Sequence, residues 1–125
     1  MTDFNETHKV ETFKSVLTIG MEVLRALILI NGGAAAGMVA TLDKLRFAIT
    51  PDALQTAMLC FVIGLITAVL AGCAGYFTQY TMHEGNMGRT ASPSYATLRK
   101  TTVTLAFMSL AGFSAGALSA AFGLR

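Results

Sequence analysis

Residues 53–82 read ALQTAMLCFVIGLITAVLAGCAGYFTQYTM, without one formally charged side chain. A helix needs about 20 apolar residues to cross the hydrocarbon core of a bilayer, and this run exceeds that. Its start is marked by Thr50-Pro51-Asp52. Thr50 suits the N-cap, Pro51 has no N–H to leave unsatisfied in the first turn, and Asp52 complements the positive helix end. Gly85 offers a left-handed stop. The stretch is therefore expected to be a membrane-spanning helix over about 51–84.

Two more runs flank it. Residues 101–124 carry no formal charge and are long enough to span. Their helix is expected over about 93–122, opened by Ser92-Pro93 and stopped at Gly123. Residues 26–42 are also uncharged but short. Upstream, Phe13, Val16, Leu17, Gly20, Leu24, Ile28 and Asn31 share one helical face, and Glu11, Lys14, Thr18, Glu22 and Arg25 the other. One helix over about 5–43, amphipathic at its start and apolar at its end, accounts for both. A signal-peptide reading of residues 24–36 is set aside because the charged segment before them is long and half acidic.

The fold expected is all-α: a single membrane domain over 1–125, an up-down-up bundle of three helices joined by short loops at 44–49 and 86–91. The helices exceed the bilayer, and their excess at 5–18, 79–84 and 93–100 falls on one side as a helical stub. That side carries Lys9, Lys14, Arg25, Arg89, Arg99 and Lys100, against Lys44, Arg46 and Arg125 opposite. The positive-inside bias puts the stub and N-terminus in the cytoplasm, in the cell's inner (plasma) membrane. Tyr76, Tyr80 and Tyr95 fall near the same interface.

Composition agrees. Of 125 residues 54% are hydrophobic and 13% charged, where soluble domains carry about 25% charged. The net charge of +2 comes with no Lys/Arg run or aromatic platform, so nucleic acid is not expected as a partner. Cys60 and Cys73 share one apolar segment about 20 Å apart along a helix and cannot pair.

Small residues recur at helical spacing. Ser109, Gly112, Gly116, Ser119 and Gly123 line one side of the third span, Cys60, Gly64, Thr67, Ala71, Gly75 and Thr78 one side of the second, and Gly33 and Gly37 make a GxxxG pair in the first. Such stripes let helices pack closely, either within one protomer or between copies. The expected packing or oligomer interface is Gly33, Gly37, Gly64, Gly112, Gly116 and Ser119. Asn31 must find a hydrogen bond inside the membrane, either to a neighbouring helix or as a member of a pore-lining ring, and Gly32-Gly33 beside it could bend the helix. Thr18, Glu22 and Arg25 are either a snorkelling edge with an i,i+3 ion pair or the vestibule of such a pore.

The run Leu24–Gly37, LRALILINGGAAAG, resembles the first span of small uncharacterised bacterial three-span membrane proteins, a similarity over about a third of the chain that implies no activity. In size and span number the chain also looks like the holins, which assemble into membrane lesions. Many holins close on a charged cytoplasmic tail, where this chain reads Gly-Leu-Arg125.

No Asp, Glu, Lys, Arg or His falls in the middle of a span, where proton relays and coupled transporters normally place one. HExxH, Walker A and CxxC patterns are absent. His8 and His83 are the only histidines and neither reaches mid-membrane depth, where an axial haem ligand would be needed. The expectation is a protein without catalysis, cofactor or metal: a homo-oligomer forming a pore or channel-like assembly, or an accessory, anchor or scaffold subunit whose stub holds a cytoplasmic protein.

Overall fold

A computed structural model describes residues 2–86 and 95–124, with the side chains of 2–7, 9, 10, 13 and 83–86 left undescribed. The described chain is helical almost throughout: α1 (Thr2–Ala40), α2 (Leu42–Ala48), α3 (Pro51–Asn86) and α4 (Tyr95–Phe122). The spans within α1, α3 and α4 are Lys14–Ala40, Pro51–Met82 and Tyr95–Phe122, each long and apolar enough to cross a membrane. This is a multi-pass membrane protein built as a three-helix bundle. At 39 and 36 residues, α1 and α3 reach about 58 and 54 Å, well beyond a core of about 30 Å.

The exposure pattern is that of a protein whose solvent is lipid. Leu29, Ile63 and Phe107 point outward at 72%, 54% and 69% exposure. The largest fully enclosed side chains among the described residues are instead polar, Asn31 and Ser109. Apolar groups gain nothing by leaving hydrocarbon, so the bundle interior goes to small residues and to polar groups that need partners.

The first helix ends earlier than the expected Asp43. Thr41 turns out of the helix at φ −113°, ψ 14°, and its Oγ1 donates to the Gly37 carbonyl at 2.7 Å. The chain then restarts. Lys44 and Leu45 N–H groups both donate to the Thr41 carbonyl at 3.0 Å, with Asp43 in the first turn of α2 and Arg46 in its last. The expected loop at 44–49 is thus mostly a short helix. It ends at Ile49, extended at φ −125°, ψ 144°, ahead of a Thr50 that Pro51 keeps from helical geometry.

Ile49 is buried and forms an antiparallel bridge with Leu124, while the Thr50 N–H donates to the Gly123 carbonyl at 2.9 Å. The α2–α3 junction is therefore stitched to the end of α4, which stops at Phe122 as expected. α3 passes through Gly85 to Asn86, two residues beyond the expected end, so Gly85 is helical and not a cap. The Ser92-Pro93 start signal and the loop at 86–91 beyond Asn86 lie outside the described residues.

α4 packs most extensively on α3, α1 rests mainly on α3, and of the three spanning helices α1 and α4 touch least. Two apolar clusters fill the interior. One, toward α2, holds Met38, Ile49, Leu54, Ala57 and Phe61, with Phe113 tilted against Phe61 at 5.7 Å between ring centroids. The other, toward the opposite end, holds Leu24, Leu27, Ala68 and Ala71.

Glycine makes the α3–α4 contact close. A Cβ at Gly112 would stand 3.0 Å from the Cys60 carbonyl oxygen and 3.1 Å from the Gly64 Cα, both backbone. Neither can yield without separating the helices. Gly112→Ala is expected to lose about 1–3 kcal/mol to overpacking, read by reversible unfolding in bicelles. Gly72→Ala, where a Cβ meets nothing within 4 Å, should be neutral or gain up to about 1 kcal/mol of helix propensity. Equal behaviour of the two variants would contradict the packing described.

Candidate functional site

Between the two apolar clusters, one residue from each spanning helix meets the other two: Asn31 of α1, Gly64 of α3 and Ser109 of α4. Gly64 and Ser109 each lie about 20 Å along their helix from its α2-side end, well inside the span. Asn31 and Ser109 are both 0% exposed. The Asn31 Nδ2 donates to the Leu27 carbonyl at 3.0 Å, to Ser109 Oγ at 3.1 Å and to the Ser109 carbonyl at 3.4 Å. Ser109 Oγ passes its own hydrogen to the Gly64 carbonyl at 2.7 Å. A chain of donors thus runs from α1 through α4 to α3.

The Asn31 Oδ1 accepts no hydrogen bond and lies against the Gly64 Cα, where a side chain on residue 64 would collide with it. A Cα–H contact returns only about 0.5–1 kcal/mol, so this oxygen is under-satisfied. The amide is held by its nitrogen alone. Thr67 continues the polar seam on α3, its Oγ1 donating to the Ile63 and Gly64 carbonyls at 3.0 Å each.

Of the residues singled out in the sequence, Gly64, Gly112, Gly116 and Ser119 all work at the α3–α4 contact. A Cβ at Gly116 would press on the Phe61 ring at 2.8 Å, and Ser119 Oγ donates to the Ala53 carbonyl at 3.2 Å. Asn31 sits inside the protomer rather than on a free surface. Its partner Ser109 belongs to the same small-residue stripe as Gly112 and Gly116, which is the signal that could have paired them. α1 runs unbroken through Gly32 and Gly33.

Gly33 and Gly37 are different. A Cβ at either meets nothing within 4 Å. They belong to an exposed face on the far side of α1 from Leu24, Leu27, Asn31 and Met38. Thr18, Glu22, Arg25, Leu29, Gly33, Ala36 and Ala40 follow at steps of three or four, all exposed, with Gly37 alongside. At the polar end of this face Arg25 donates to Glu22 Oε1 at 3.1 Å and Thr18 Oγ1 donates to the Lys14 carbonyl at 3.0 Å. The face is polar for two turns, then smooth.

Among the described residues no group of three His, Cys, Asp or Glu side chains could hold a metal ion. His8 is exposed on α1, and the side chain of His83 lies outside the described residues. Comparison with protein-family models, curated proteins and solved structures finds no match for this chain.

The Asn31–Ser109 contact makes a quantitative claim. In a double-mutant cycle of Asn31→Ala and Ser109→Ala, the coupling should be about 0.6 kcal/mol, the average for interhelical hydrogen bonds in a membrane protein, and no more than about 1.7 kcal/mol. Additive losses would mean that the two side chains do not share a bond.

Proposed function

We propose that this chain is a small, non-catalytic membrane protein that assembles with copies of itself through the exposed face of α1. The observation that carries the reading is the open space at Gly33 and Gly37. Gly64, Gly112 and Gly116 are used up in closing α3 on α4. These two are not, and a GxxxG pair facing lipid permits a second helix to approach backbone to backbone. Ala36 and Ala40 extend the smooth strip by a further turn.

A closed ring of protomers around such a face has an axis by symmetry. The same strip carries Thr18, Glu22 and Arg25 at its other end, and in a ring these would gather as a charged vestibule. That continuity favours a pore or channel-like assembly, and the likeness to holins in span number points the same way. Asn31 takes no part in it, being committed to Ser109. The opposing reading is an accessory, anchor or scaffold subunit, in which the ends of α1 and α3 beyond the bilayer hold a cytoplasmic protein. The excess of Lys and Arg at that end supports placing it, with the N-terminus, on the cytoplasmic side of an inner membrane.

Gly33→Leu with Gly37→Leu is expected to shift the particle from oligomer to monomer in native mass spectrometry from nanodiscs. The bundle itself should keep its thermal midpoint, because neither position touches its own protomer. An unchanged oligomer, or a wild type that is already a monomer, would contradict self-assembly through this face. Liposome dye flux lost together with the oligomer would select the pore. A stoichiometric complex with another protein and no flux would select the scaffold.

A further inference from the structure

On the opposite side of α1 the bundle is not closed. Toward the end distant from α2, an open groove of about 400 Å³ lies between α1 and α4. α3 supplies the floor, with Gly75 and Thr78, and the walls are almost wholly apolar, with Val16, Leu24, Phe107 and Leu110 among them. Gly20 leaves the α1 wall thin, since a Cβ there would meet nothing within 4 Å.

The groove has a length and a polarity. The α1 wall runs about 16 Å from Val16 to Leu27, and the α4 wall about 22 Å from Tyr95 to Leu110, of which about 16 Å lies between Arg99 and Leu110 at 1.5 Å per residue. One leaflet of a hydrocarbon core is about 15 Å deep, half of about 30 Å. The slot is therefore one acyl chain deep. Its far end is lined by Leu27 and Leu110, and its mouth carries Tyr95 and Arg99 on α4, with Gln79 and Met82 on α3.

Arg99 is exposed and its guanidinium lies over the Tyr95 ring at 5.8 Å. The ion pairs among the described residues are Arg25–Glu22 and Arg46–Asp43, so Arg99 has no carboxylate partner there. A guanidinium with no carboxylate partner among the described residues, at the mouth of a leaflet-deep apolar slot, matches one bilayer component in both parts. A phosphodiester can accept from its fork of N–H groups, and the attached chain can fill the slot.

We propose that the groove between α1 and α4 is a binding site for an anionic phospholipid, with one acyl chain along Gly20 and Phe107 and its headgroup at Arg99. The site is independent of self-assembly, since it lies on the other side of α1 from Gly33 and Gly37. The lipid completes the third edge of the bundle, where α1 and α4 barely meet. A zwitterionic lipid would fit the slot equally but brings no net charge to Arg99, so the proposal is one of selection and not of mere wetting.

The test is native mass spectrometry of the full chain released from bilayers of mixed phosphatidylcholine and phosphatidylglycerol. The wild type should retain phosphatidylglycerol enriched roughly tenfold over its bilayer share, equivalent to about 1.4 kcal/mol. Arg99→Gln should bring the retained mixture to the bilayer ratio, and Arg99→Lys should keep most of the enrichment. Gly20→Leu, which fills the slot without touching Arg99, should lower retention of both lipids several-fold. Retention at the bulk ratio by the wild type, or enrichment that survives Arg99→Gln, would overturn the proposal. So would a lipid-free dimer that Gly20→Leu converts to monomer, because the slot would then hold a second copy.

Discussion

An amide in the middle of a bilayer has no water to turn to, and that constraint organises this bundle. Asn31 is the polar side chain that α1 brings to the middle of its span, and it is satisfied by reaching α4 at Ser109, which in turn reaches α3 at Gly64. Each step needs the next. Gly64 must lack a side chain for the amide to lie where it does, and Gly112 must lack one for α4 to come close enough for Ser109 to donate. Apolar packing in lipid offers little preference for one helix register over another. A directional bond across three helices offers such a preference, and it sits between the two apolar clusters, where it can hold both in line.

The under-satisfied Asn31 oxygen is the counterpart of that arrangement. A leucine in its place would avoid the unmet acceptor but would remove the link from α1 to α4, the pair of spanning helices that touches least. α3 and α4 are joined along their lengths by small residues and again at the Thr50–Gly123 stitch. α1 has the seam through Leu24, Leu27, Asn31 and Met38. It is the helix held most lightly, and it exposes both surfaces that invite a further partner: the smooth face at Gly33 and Gly37, and the groove toward α4.

Much of this was legible before any coordinates. Uncharged runs longer than a bilayer is thick admit only helices, and Pro51 and Gly123 mark ends that the structure keeps. The stripes of small residues at 64, 112, 116 and 119 mark close helix packing because close backbones demand them. The break at Thr41 was not legible. Nothing in Thr41-Leu-Asp-Lys-Leu-Arg distinguishes a continuing helix from a restarted one, and the turn depends on the later pairing of Ile49 with Leu124. Nor does periodicity separate a stripe that packs inside a protomer from one that faces outward. Gly33 and Gly37 read the same as Gly112 and Gly116 until their neighbours are known. The groove is made by three helices together, and no single helix carries a sign of it.

The central claim is that Asn31 is a dry, interhelical group and not a wall of an aqueous path. Magic-angle spinning NMR of the side-chain amide in lipid bilayers tests it directly, by water–proton exchange at Nδ2 and by its through-space correlations. The account expects a protected amide with a cross-peak to the Ser109 side chain and none to water. Rapid exchange with water, without contact to Ser109, would place Asn31 on a wet surface and contradict it.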